Sequence, residues 1–304
     1  MPTVITHSIL DMKLGMHKLK NFAQGWLIPP SLYKWGSHYF YKFKTSLNND
    51  FQKVINQNIY LSQKYLKNDR CFIIGSGPSL KNTNIKILEH EVCFSLNFAY
   101  LHQDFKLIKN KLCVFPGFAC HPHLSEDDIN DSLYKFSIHA TDATLILNIE
   151  DRAIFESSDF NLPKSRYYFD WNMDWSCLNR VELASNRPIC PPQNSVIFAI
   201  QVALCMKFKS IYLVGIDHDF ILSALTNAPE YHFYDQEESK LGNVSVKVSN
   251  IASSLAAHSL IWNQHILLNQ YAKKLGIAIF NATEGGILDV YPRVSLEDLI
   301  QSKT

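Results

Sequence analysis

The stretch Cys71-Phe-Ile-Ile-Gly-Ser-Gly-Pro-Ser-Leu80 limits the possible folds of this chain more than any other segment. Four apolar residues run into two glycines, and then into a Pro-Ser pair that can open a helix. A strand that ends in such a turn leaves backbone N–H groups facing the place where an anion can sit. Gly75, Ser76, Gly77, Pro78 and Ser79 are therefore candidate nucleotide-binding residues, with a plain tight turn as the other reading. Leu80 stands where a dinucleotide fingerprint has its third glycine, so NAD binding does not follow.

Further apolar runs repeat the theme. Val92–Asn97, Leu112–Phe115, Thr144–Asn148, Ile211–Asp217 and Ile277–Asn281 are short, rich in Ile, Val, Leu and Phe, and bounded by polar residues or glycine. Such runs suit parallel strands buried on both faces. Between them, Ser195–Lys207 predicts a helix with Val196, Ala199, Ile200, Ala203 and Leu204 on one face. Ser253–Leu275 predicts a longer helix that offers Leu255, Leu260, Ile266, Leu267, Tyr271 and Leu275 to the core, with Gly276 as its stop. The alternation predicts an α/β, Rossmann-like, doubly wound and mostly parallel sheet over residues 68–304. Residues 1–67 form a helical N-terminal appendage, and 219–252 form a lid or acceptor region.

Bulk properties exclude some classes. With 304 residues, 47% hydrophobic and 19% charged, the chain is an ordinary globular protein. A net charge of +1 gives no general pull toward nucleic acid. The charge is unevenly spread: residues 1–70 hold ten Lys/Arg against three Asp, interleaved with Phe22, Trp26, Tyr33, Trp35 and other aromatics. That segment reads either as a collar on the main domain or as a peripheral contact with an anionic membrane surface. No run is long enough to span a bilayer, and no signal-peptide pattern opens the chain. Seven scattered cysteines fit a reducing cytoplasm. Cys120-His121-Pro122-His123 lacks a second cluster at matching spacing and reads as a surface loop.

In a doubly wound sheet ligands bind beyond the carboxyl ends of the strands, so chemistry is sought there. Asn97 can donate to and accept from a ribose or base, or simply form a turn. Asn194 and Ser195, after Pro191-Pro192-Gln193, open a helix whose exposed N–H groups suit phosphate, although capping alone explains them. Gly215-Ile216-Asp217-His218-Asp219 brings a carboxylate to the rim. Asp217 is a candidate nucleotide-facing residue; Asp217 and Asp219 are spaced as in a clamp for Mg²⁺ or Mn²⁺, or one caps a loop while the other faces water. In the lid, Tyr231-His232-Phe233-Tyr234 offers His232 as a general base and the Tyr231 and Tyr234 hydroxyls as stabilisers of a departing phosphate, with a packed or surface histidine as the other reading. Gly285 and Gly286 permit close approach of backbone to a ligand, or form only a turn.

Gly-Ser-Gly-Pro-Ser-Leu, Asn97, Asn194-Ser195 before an apolar helix, Ile-Tyr-Leu-Val-Gly-Ile-Asp, His232 and Asn-Ala-Thr-Glu-Gly-Gly recur in an order that resembles the MptE-like proteins, named for 6-hydroxymethylpterin diphosphokinase. The pattern is also similar to the single-domain bacterial sialyltransferases that use CMP-sialic acid. The resemblance covers about residues 70–295. It implies a cytoplasmic glycosyltransferase that takes a CMP-linked acidic sugar to an oligosaccharide or lipid-linked surface-glycan acceptor, with inversion. Residues 76–79, Asn97, Asn194 and Ser195 would hold the donor, and His232 would take the acceptor proton. The other implied activity is pyrophosphoryl transfer from ATP with Mg²⁺. Asp219 stands where the sialyltransferases have a tyrosine, which favours either a metal-assisted transfer or a carboxylate turned toward the acceptor.

Overall fold

The computed structural model describes residues 41, 43, 45–115, 117–120, 124–222, 232–233 and 251–301. Tyr231, Tyr234, most of the 219–252 region and His121–His123 lie outside the described residues. The elements in chain order are α1 (Asn49–Asn56), α2 (Asn58–Lys64), β1 (Arg70–Ile74), β2 (Val92–Leu96), β3 (Asn110–Val114), α3 (Glu126–His139) and β4 (Thr144–Asn148). They continue with α4 (Arg152–Glu156), β5 (Arg166–Phe169), α5 (Ser195–Cys205), β6 (Ser210–Val214), α6 (Ile251–Lys274), β7 (Ala278–Asn281) and α7 (Leu296–Gln301). Short 3-10 turns join several of these. The chain divides into two compact units, residues 1–53 and Val54–Thr304. The second unit thus begins before the boundary at 68 read from composition. The reason is packing: Leu61 and Tyr65 join the core, and the buried Asn58 amide donates to the Tyr168 and Ser185 carbonyls at 2.7 and 2.8 Å.

Among the described residues seven strands form one all-parallel sheet in the order β5-β4-β3-β2-β1-β6-β7. This is the α/β, Rossmann-like architecture that the apolar runs predict. The strands are buried on both faces because side chains alternate. Cys71, Ile73, Phe94, Val114, Ile146 and Leu213 enter one core layer, while Phe72, Ile74, Cys93, Leu145 and Val214 enter the other. Helices α5 and α6 cover the first layer, and α3 and α4 the second. The chain runs outward from β1 to β5, then returns to lay β6 on the opposite side of β1. The switch point therefore falls between β1 and β6, with Gly75 and Gly215 at its rim.

Helix α5 shows how firmly this rim is anchored. All eleven of its residues are buried, as its apolar sequence requires. Its one polar interior side chain, Gln201, is matched on both sides: the amide donates to the Cys190 carbonyl and the oxygen accepts from the Cys190 N–H, each at 2.9 Å.

Helix α6 departs from the expected face. Leu255, Leu260, Ile266 and Leu275 are exposed, whereas His258, Ile261, Gln264, His265, Leu268, Tyr271 and Ala272 point inward. The inward polar groups have partners that apolar periodicity does not reveal. Gln264 Oε1 accepts from the Gln193 N–H at 2.9 Å, and His265 bonds to His218 and Tyr291. Gly276, with φ at +72°, ends the segment as predicted.

Candidate functional site

Two groups of predicted residues meet on neighbouring strand ends. The first lies at the switch point. Ser79 Oγ donates to Asp217 Oδ2 at 2.8 Å, and the Ser79 N–H also reaches that carboxylate. His232 Nδ1 lies 3.2 Å from Ser76 Oγ and 3.3 Å from the Ser76 carbonyl. The Phe233 N–H donates to the same carbonyl at 3.1 Å, and the Phe233 ring packs on His102 with centroids 5.8 Å apart. His232 is thus joined to Ser76 although 156 positions separate them in sequence.

The second group lies one strand over. Ser195 Oγ donates to Asn97 Oδ1 at 2.7 Å, linking the end of β2 to the start of α5. Asn97 holds a left-handed backbone, φ +50°, which Asn tolerates better than most residues. The neighbouring Asn194 is spent on capping, since its side-chain oxygen accepts from the Ile197 N–H at 3.0 Å. Asn194 therefore shapes the helix end, while Asn97 and Ser195 present their remaining polar groups at the rim.

Most amides of the glycine turn are committed within the chain, as in the tight-turn reading. Gly75 N–H donates to the Val214 carbonyl at 2.8 Å, Gly77 N–H to the Gly215 carbonyl at 3.0 Å, and Leu80 N–H to the Gly77 carbonyl at 3.1 Å. With the Ser79 amide on Asp217 and no N–H on Pro78, Ser76 alone keeps an unspent amide in the turn among the described residues. A Cβ on Gly77 would come within 1.9 Å of Asp217 Oδ2. The glycine is required there because the chain's own carboxylate fills the concavity that the sequence assigned to phosphate.

Asp217 is held from the other side too. Ile287 N–H donates to its carbonyl at 2.8 Å, and Thr283 Oγ1 accepts from the Ile216 N–H at 3.0 Å. A Cβ on Gly286, whose φ is +67°, would reach within 2.5 Å of the Asp217 Cα. In this structure the close approach that Gly286 permits is to Asp217. Arg293 secures this loop by donating to the carbonyls of Thr283, Gly285 and Gly286.

Burial raises the Asp217 carboxyl above its ordinary pKa, with Asp219 adding to the rise and the Ser79 hydrogen bonds opposing it. Burial lowers His232, so its imidazole stays neutral and can accept a proton. Asp219 is half-buried, and its carbonyl accepts from the Leu222 N–H at 2.8 Å. Among the described residues no cluster of three His, Cys, Asp or Glu is arranged to hold a metal ion.

His218 stands between Asp217 and Asp219 in the sequence, and its structural role is not legible from the spacing. Its backbone is left-handed, φ +54°, and the ring turns inward, where Nε2 meets His265 Nε2 at 2.9 Å. His265 Nδ1 in turn meets the Tyr291 hydroxyl at 2.9 Å. No sequence spacing announces this chain of rings, because its members come from three separate segments.

Among the described residues no helix is long and apolar enough to cross a membrane. Comparison with protein-family models, with curated proteins and with solved structures found no match to this chain.

Proposed function

We propose that the protein is a transferase that moves an acidic sugar from a CMP-linked donor to a hydroxyl of a surface-glycan acceptor, with His232 as general base. The observation that carries this reading is the union of His232 with Ser76 at the switch point of the sheet, where doubly wound folds bind ligands. The acceptor oxygen attacks the anomeric carbon as His232 takes its proton. The bond from that carbon to the phosphate oxygen breaks with inversion, and CMP departs with the electron pair. Burial keeps His232 in the proton-accepting form, which supports this role.

The donor phosphate suits the start of α5, where the Ser195 and Val196 amides precede the first capped position and the helix dipole favours negative charge. Asn97 and Ser195 fit the nucleoside or sugar hydroxyls, and the Ser76 hydroxyl fits the ribose. The basic, aromatic sequence ahead of Val54 fits an acceptor carried at an anionic membrane surface on the cytoplasmic side.

The test is incubation of the purified full chain with CMP-sialic acid, with and without a glycan acceptor, following CMP release. Release that falls about 10²–10⁴-fold in His232→Ala is the expected result. Absence of release from any CMP-sugar, together with AMP formation from ATP, Mg²⁺ and hydroxymethylpterin, would replace this reading with pyrophosphoryl transfer.

A further inference from the structure

We infer that Asp217 is a specificity-determining residue that makes the site select donors carrying one phosphate, because its carboxylate fills the glycine turn that would otherwise receive a second. The inference rests on the nucleotide-site reading above and goes beyond it in naming what excludes polyphosphates. In phosphate-binding glycine turns the amides of successive residues point at the ligand. Here the amides of Gly75, Gly77, Ser79 and Leu80 are all committed within the chain, and two groups of Ser79 go to Asp217 itself. The space is committed as well, since even a methyl group on Gly77 would strike the carboxylate.

Nor can the carboxylate easily move aside. Gly286 lies against its backbone, Ile287 holds its carbonyl, and its side chain is buried with no Lys or Arg paired to it among the described residues. A phosphate arriving at this turn would meet a negative charge and, among the described residues, no uncommitted amide of the turn except that of Ser76. Two like charges about 6 Å apart at an effective dielectric near 20 repel by an amount worth up to about a hundredfold in affinity, and about tenfold once solvent and salt screen it.

The experiment is calorimetric titration of the full chain with CMP, CDP and CTP, without divalent cations and at constant ionic strength. The expected order is CMP tightest, CDP about tenfold weaker and CTP weaker again. Asp217→Asn, which keeps the side-chain shape, should narrow the gap between CMP and CDP to about threefold or less. CDP or CTP binding as tightly as CMP to the natural chain overturns the inference while leaving the nucleotide site standing. An unchanged ranking in Asp217→Asn also overturns it, and binding of none of the three removes both the inference and the reading beneath it.

Discussion

His218 Nε2 and His265 Nε2 face each other across 2.9 Å in a buried layer where, among the described residues, neither ring is bonded to a carboxylate. One nitrogen must donate and the other accept, so the pair exists only while at least one imidazole is neutral. Burial holds His218 down to about 4 and His265 well below its ordinary value. In the unfolded chain both titrate near 6.5.

Stability should therefore be insensitive to these groups above 6.5 and should fall as pH drops from there toward 4, because the unfolded state takes up protons first. Each imidazole should remove about 1 kcal/mol by roughly pH 5.5. Urea unfolding at about pH 7.5 and 5.5 measures the difference. A midpoint that stays put or rises on acidification contradicts the assignment.

The same sign governs the rate. His232 titrates below its ordinary value through burial, so kcat/KM should fall on the acid side with a midpoint below 6.5. A general base titrates in this direction, since the protonated ring cannot accept a proton. An acid limb centred above 6.5 argues for another group, and no acid limb argues against a histidine base.

Gly286→Ala should cost about 1–3 kcal/mol of stability, from the left-handed backbone and the collision with Asp217 together. Gly276 is the natural control. Its φ is +72° but nothing lies within 4 Å of where a Cβ would stand. Gly276→Ala should therefore cost about 1 kcal/mol or less. Chemical denaturation of both variants isolates the contribution of close approach, and equal losses would show that contact with Asp217 is unimportant.

Asn97→Gly removes the carboxamide and its bond to Ser195 while suiting the left-handed backbone. We expect stability within about 1 kcal/mol of the natural chain but CMP affinity reduced about tenfold. Affinity unchanged in titration would remove Asn97 from the nucleotide site.

The fold was largely legible from the apolar runs, because strands buried on both faces must be apolar throughout. Thr144–Asn148 matches its predicted span, and the others shift at their ends by a residue or a few. Edge strand β5 was not legible: Arg166-Tyr-Tyr-Phe169 is short, opens with a charged residue, and is half-buried at its start. Helix α3 did leave a signal, a capping box in which Ser125 and Asp128 bond reciprocally.

The site was legible as a list of residues but not as a circuit. Ser76, Asp217 and His232 were singled out, yet sequence cannot say that Asp217 answers the amides of the turn. That depends on β6 lying beside β1, a long-range choice of the topology. The inward face of α6 was misread for a related reason: His258, Gln264 and His265 are polar, and apolar periodicity assigns polar residues to water.

Arg293 lies beyond the last strand and, among the described residues, is bonded to none of the groups assigned to chemistry, yet its guanidinium grips three carbonyls of the loop that abuts Asp217. The tail end of the chain thereby sets the posture of a carboxylate delivered by β6. A genetic screen for lost activity should consequently return hits at position 293, where the bracing of this loop is reason enough for the loss.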